Sequence, residues 1–125
     1  MFEFIEACKE GDIQTVKEYL ADKKFTGLNE KDEHGNTPFF WACGHGLIEV
    51  VELLIEADGF NSLNEKNNSC NTPFFWACCC GYKEIAELLI KTDGFNSLND
   101  KNNSGYTPFF GACFNGHKKV VELLI

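Results

Sequence analysis

Thr37-Pro38-Phe39-Phe40-Trp41-Ala42-Cys43 returns unchanged at residues 72–78 and, with one exchange, as Thr107-Pro108-Phe109-Phe110-Gly111-Ala112-Cys113. The spacing is 35 residues both times, so one chain writes the same local instruction three times over. A weaker copy precedes them, because Ala7-Cys8-Lys9-Glu10-Gly11 stands in the register of Ala42-Cys43-Gly44-His45-Gly46. A fixed period of this size marks a stacked array, whose units bury their apolar faces on one another and are not stable alone. The chain reads as a single repeat domain of four units, approximately residues 1–31, 32–66, 67–101 and 102–125.

The second unit spells out a helix pair. Asp32-Glu33-His34-Gly35 has the acid-first, glycine-fourth pattern of a tight turn. Thr37 follows where a hydroxyl caps a helix, and Pro38 where a missing N–H costs nothing and φ is already helical. The helix runs through Phe39-Phe40-Trp41-Ala42-Cys43 and breaks at Gly44-His45-Gly46, where glycine takes positive φ at little steric cost. A second helix starts from Leu47. Its Ile48, Val50, Val51, Leu53, Leu54 and Ile55 leave only Glu49, Glu52 and Glu56 as a polar stripe, the pattern of a helix covered on two sides. Both helices fall short of the ~12–15 residues at which an isolated helix becomes marginal in water, so stacking has to supply the stability. Between units, Asp58-Gly59-Phe60-Asn61-Ser62-Leu63-Asn64 recurs as Asp93-Gly94-Phe95-Asn96-Ser97-Leu98-Asn99 and is expected to project as a loop.

Thr-Pro, the small pair Ala-Cys, a Gly and then Val-Val-Glu-Leu-Leu-Ile resemble the ankyrin repeat, and the resemblance covers the entire chain. It implies an all-α solenoid of stacked antiparallel helix pairs with protruding turns, the first helices lining a concave face and the second a convex one. It also implies a non-catalytic protein–protein interaction module that uses its turn tips and concave groove. Phe39-Phe40, Phe74-Phe75 and Phe109-Phe110 stand where the family usually has Leu-His. The usual imidazole bond to the turn is therefore missing, and aromatic packing is expected to replace it. The loops exceed the family norm by about two residues. Phe60 and Phe95 inside them, with Phe25 as counterpart in the first loop, are expected to anchor each loop on the stack. Cys70 occupies the turn position of Gly35 and Gly105.

Composition narrows the function classes. A net charge of -8 argues against a nucleic-acid partner, which requires a basic stripe, and favours a protein partner with a neutral or basic surface. There is no apolar run near the ~18 residues of a membrane span. Met1-Phe2-Glu3-Phe4 is unlike a secretory signal, and the seven cysteines show no framework spacing. The expected location is the cytoplasm, a reducing compartment.

Seven cysteines and three histidines raise metal and thiol chemistry. Cys8, Cys43, Cys78 and Cys113 share one register position, where a small buried residue belongs, and read as packing residues. Cys70, Cys79 and Cys80 are left over. With no C-x-x-C pair and no zinc-finger spacing, no metal site is expected. Cys79 and Cys80 read as surface thiols near the helix-helix turn; a thiol enzyme or redox sensor built on them would need an oriented base, and His45 has no evident orienting partner. No phosphate-binding glycine motif occurs, so neither cofactor nor catalytic residue is assigned.

Differences between units point to the recognition surface. Turn positions read Glu33-His34-Asn36, then Asn68-Ser69-Asn71, then Asn103-Ser104-Tyr106; first-helix ends read Gly44-His45, Cys79-Cys80 and Phe114-Asn115. These side chains are expected to project on the concave side, because the constant faces are committed to packing. Trp41 and Trp76 fill the third helical position after Pro, where the fourth unit has Gly111. They read either as packing between first helices or as groove anchors, with Gly111 leaving a notch beside Trp76. The partner-binding set is thus Glu33, His34, Asn36, His45, Asn68, Ser69, Asn71, Trp76, Cys80, Asn103, Tyr106, Phe114 and Asn115. Finally, Val120-Val121-Glu122-Leu123-Leu124-Ile125 keeps the apolar pattern of internal helices. That uncovered face implies a longer array, or docking on another copy as a structural, self-associating alternative.

Overall fold

The computed structural model describes residues 2–125. Among them are eight helices and no strand: α1 (Phe2–Glu10), α2 (Ile13–Ala21), α3 (Pro38–Gly44), α4 (Ile48–Ile55), α5 (Pro73–Cys79), α6 (Lys83–Lys91), α7 (Pro108–Phe114) and α8 (Lys118–Leu124). Each odd-numbered helix pairs with the helix that follows it. The odd helices stack in one row and the even helices in a second, looser row.

The Thr-Pro starts are built as their chemistry dictates. The hydroxyls of Thr37, Thr72 and Thr107 accept the backbone N–H of Phe40, Phe75 and Phe110 at 3.1, 3.0 and 3.1 Å, and a Pro opens each helix. α3 ends where expected, with Gly46 at φ 73°, a left-handed conformation that lets the Leu47 N–H return to the Ala42 carbonyl at 3.0 Å. α1 and α2 lack Thr-Pro; instead the Asp12 carboxylate caps α2 by accepting the Thr15 N–H.

The core is continuous through all four pairs. Phe4, Phe39 and Phe74 are sealed, as are Val16, Val50, Val51, Leu54, Ile85, Leu89 and Val120. Each contributes on the order of 1.5–3 kcal/mol on burial, which short helices need. The loop phenylalanines anchor as expected: Phe25, Phe60 and Phe95 set their rings 4.6, 4.7 and 4.8 Å from those of Phe4, Phe39 and Phe74. Phe40, which replaces the family imidazole, is buried and stacks on Trp76 at 4.8 Å.

Three expectations about cysteine are corrected. Cys8, Cys43 and Cys78 are sealed, but Cys113 is exposed, because its unit has a neighbouring unit on one side only. Cys79 and Cys80 are not surface thiols; both are half-buried, and desolvation pushes Cys79 up to about 11 and raises Cys80 as well. The neighbouring thiol adds a smaller push on Cys79. Burial likewise takes Cys8 to about 12, and Cys43 well above the ordinary thiol value.

Exposure at the last unit is shared between its two helices, with Ile125 at the end of the second 91% exposed. Val120 is sealed and Leu123 and Leu124 are half-covered, whereas Phe109 and Phe110 of α7 are each 41% exposed.

Candidate recognition surface

The turns are held by one acceptor each. Oδ1 of Asp32 accepts the N–H groups of His34 and Asn36, both at 2.9 Å. Asn67 does the same for Ser69 and Asn71, and Asn102 for Ser104 and Tyr106, at 2.9–3.0 Å. Successive turns are then stitched together, the Asn68 N–H donating to the His34 carbonyl and the Asn103 N–H to the Ser69 carbonyl, each at 3.0 Å. This fixes the tips as one continuous edge.

The stitching overturns part of the expected binding set. Asn36 does not project; it is buried, its Oδ1 accepting from Asn67 Nδ2 at 2.8 Å. Asn71 is half-buried and accepts from Asn102 Nδ2 at 2.9 Å. Both are consumed in holding neighbouring turns, since a buried amide left without a partner costs about 1–3 kcal/mol. Glu33, His34, Asn68, Ser69, Asn103 and Tyr106 do stand exposed along the edge. Asn68 and Asn103 also donate to the Glu33 and Asn68 carbonyls at 3.2 and 3.3 Å.

Helix ends form the second row. His45 is exposed, with Nδ1 2.9 Å from the Lys9 carbonyl; Asn115 is exposed and donates to the Cys79 carbonyl at 3.1 Å; Cys80 is half-buried. Trp41 and Trp76 lie between the rows, both half-buried. Trp76 stacks on Phe40 and meets the rings of Trp41 and His45 at 5.5 Å, so it packs between successive first helices while keeping an open edge. No notch adjoins it at Gly111. That glycine is buried against the Cys79 Sγ and the Phe75 ring, and the space is filled.

The two ends of this surface differ in charge. Around α1 and the first turn, Lys9 pairs with Glu6 at 3.5 Å and sits 4.2 Å from the Trp41 ring centre, while Trp41 Nε1 donates to Asp32 Oδ2 at 2.9 Å. Burial pushes the Asp32 carboxyl up, but hydrogen bonds from Asn36, Trp41 and His34 outweigh it and hold the group below its ordinary value. Residues 67–82 and 102–117, by contrast, contain no Asp, Glu, Lys or Arg.

At that neutral end three rings lie nearly parallel. Tyr106 stacks on Phe110 at 4.4 Å and 24°, and Phe110 on Phe114 at 5.8 Å and 17°. They are 45%, 41% and 78% exposed. Phe110 is absent from the expected set, because its counterparts Phe40 and Phe75 are buried packing residues. The uncovered outer face inferred for α8 applies equally to α7 and would have found it.

A protein-family model described as ankyrin repeats (3 copies) matches residues 4–67 and again 60–125. With the paired helices and stitched turns, this shows that the chain belongs to the ankyrin repeat family. Domains of this family generally serve protein–protein interaction and are typically non-catalytic. No curated protein matches the chain. No described helix is long and apolar enough to cross a membrane.

Proposed function

We propose that this chain is a non-catalytic recognition module that binds another protein on the turn-tip and first-helix side of its third and fourth units. The observation that carries this reading is the exposed ring row of Tyr106, Phe110 and Phe114 within a surface free of formal charge. Aromatic residues dominate interface hot spots because they bury large area at low entropic cost. Asn68, Ser69, Asn103 and Asn115 supply the polar rim, and Trp76 an open aromatic edge. The fitting partner presents an uncharged apolar segment there, with no need of ion pairs. Glu33 and His34 border the contact at its other end. Seven unpaired thiols, three of them sealed in the stack, support a reducing compartment, and the cytoplasm is the location proposed.

The test is selection of binders from a random 15-residue peptide library on the folded chain, followed by affinity measurement for Tyr106→Ala and Phe114→Ala. Each substitution is expected to weaken binding by about 2 kcal/mol or more, roughly 30-fold, with little change in melting temperature. Affinity is expected to be nearly flat with salt. Binders unaffected by both substitutions would move the site elsewhere.

A further inference from the structure

Two tryptophans stand at the same place in successive units, and their indole N–H groups fare differently. Trp41 Nε1 donates to Asp32 Oδ2 at 2.9 Å, while Oδ1 of the same carboxylate holds the turn by accepting from His34 and Asn36. One unit on, Asn67 stands in place of Asp32. Its Oδ1 accepts from Ser69 and Asn71 at 3.0 Å each, and its other terminal atom is an amide nitrogen that donates to Asn36 Oδ1 at 2.8 Å. Two donors cannot pair, so Trp76 Nε1 is left without an acceptor among the described residues. Trp76 is half-buried, and no buried side-chain nitrogen lacks a partner among the described residues, so this N–H reaches solvent.

A free donor sets a condition on what covers it. An uncharged apolar segment laid over Trp76 strips water from the N–H, and the contact is favourable only where the segment returns an acceptor. A carboxylate is a poor one here, since residues 67–82 and 102–117 hold no Lys or Arg and the chain carries a net charge of -8. The fitting acceptor is a neutral backbone carbonyl.

The backbone conformation follows from which carbonyls are free. Inside an α-helix they are bonded to N–H groups four residues on. A β-strand needs a ladder edge, but the turn N–H groups of Ser69, Asn71, Ser104 and Tyr106 are already taken by Asn67 and Asn102. A polyproline II segment leaves its carbonyls unpaired, and its prolines bring no N–H that needs an acceptor.

We propose that Trp76 Nε1 is the anchoring donor for a proline-rich polyproline II segment of the partner protein, an assignment that rests on the binding surface proposed above and narrows what it recognises. The spacing agrees. Packed neighbouring helices lie about 8–10 Å apart, and three residues of polyproline II advance about 9 Å. A carbonyl held at α5 therefore puts the third residue along on the neighbouring α7, which carries the exposed rings of Phe110 and Phe114. Those rings take its proline or aliphatic side chain.

The experiment titrates the folded chain with two blocked, uncharged peptides, four repeats of Pro-Pro-Leu and four repeats of Gly-Gly-Leu. The second keeps the carbonyls and the leucines but not the preformed conformation, and is expected to bind about 10-fold more weakly. The Trp76 indole N–H resonance, assigned by its absence in Trp76→Phe, is expected to move downfield with the proline peptide while that of Trp41 stays in place. Trp76→Phe keeps a ring against Phe40 and is expected to weaken binding by about fivefold or more, and Trp41→Phe, whose N–H is already paired, by less than about twofold. Should Trp76→Phe melt far below the parent chain, the resonance of the parent decides alone. Equal affinity of the two peptides, an unmoved Trp76 resonance, or no binding of either peptide would overturn the proposal. Phe114→Ala separates it from the reading it rests on. A peptide that needs Trp76 and ignores Phe114→Ala would uphold the donor and sink the ring row, whereas library binders weakened by Phe114→Ala but not by Trp76→Phe would keep the ring row and sink the donor.

Discussion

Trp76 lies directly over Gly44: a Cβ on residue 44 would sit inside the indole six-membered ring's contact shell, too close for either to remain in place. The same positions of adjacent units pair elsewhere as Lys9 with Trp41 and Cys79 with Gly111. At the Gly44 step the largest side chain meets the smallest residue, so the indole lies against bare backbone there.

This size matching predicts the behaviour of Gly44→Ala. Alanine gains about 1 kcal/mol of helix propensity over glycine, yet the overlap with a stacked, half-buried Trp76 is too deep to be relieved by a side-chain shift. A net loss of roughly 1–3 kcal/mol is expected in urea unfolding. In a double-mutant cycle Gly44→Ala is expected to cost little more once Trp76→Ala has removed the indole, so the two changes should be clearly non-additive.

Cys70 is the one non-glycine residue with positive φ among the described residues, at 61°, in a turn where Gly35 and Gly105 have 78° and 80°. A side chain in that conformation costs about 1–2 kcal/mol. Cys70→Gly is therefore expected to stabilise the chain by about 1 kcal/mol, after allowance for the greater entropy of glycine in the unfolded state. Unchanged or lowered stability in thermal melts would show that the turn carries no strain.

Asp32 gives stability a pH signature. Its carboxyl is held below the ordinary value of 3.8 in the folded chain, so its contribution is present above that value and is lost as pH falls through the lower folded one. Asp32→Asn keeps the turn, as Asn67 and Asn102 demonstrate, but turns a donor toward Trp41 Nε1. A loss of about 1 kcal/mol at neutral pH is expected. The gap from the parent chain should close as pH drops below 3.8, and a gap constant down to acid unfolding would contradict this assignment.

Thiol labelling of the folded chain should separate residues of the same motif. Cys113 is exposed and is expected to react first, with Cys79 and Cys80 slowed by partial burial, and Cys43 and Cys78 protected until the stack opens. Mass spectrometry after timed alkylation reads the order directly. Reaction of Cys78 as fast as Cys113 would mean that α5 is not covered by α7 in solution.

Local chemistry repeated in each unit was legible from the sequence. Thr37, Thr72 and Thr107 had to cap, Pro had to follow them, Gly46 had to end α3, and the loop phenylalanines had to find the stack, because each decision is made within about one unit's length of chain. Exposed residues of the turn tips and helix ends, among them Asn68, Ser69, Asn103, Tyr106 and Phe114, were legible as positions where the units differ. What only the tertiary structure decided is how one unit's side chains meet the next. Asn36 varies between units yet is buried as an acceptor for Asn67, Cys79 fills the space over Gly111, and Trp76 covers Gly44. Cys78 and Cys113 make the point most directly: both close the same Thr-Pro-Phe-Phe motif, and one is sealed while the other faces solvent. Burial belongs to the neighbour that covers a residue, and contacts between units depend on the rise and rotation of the stack, which no single unit's sequence contains.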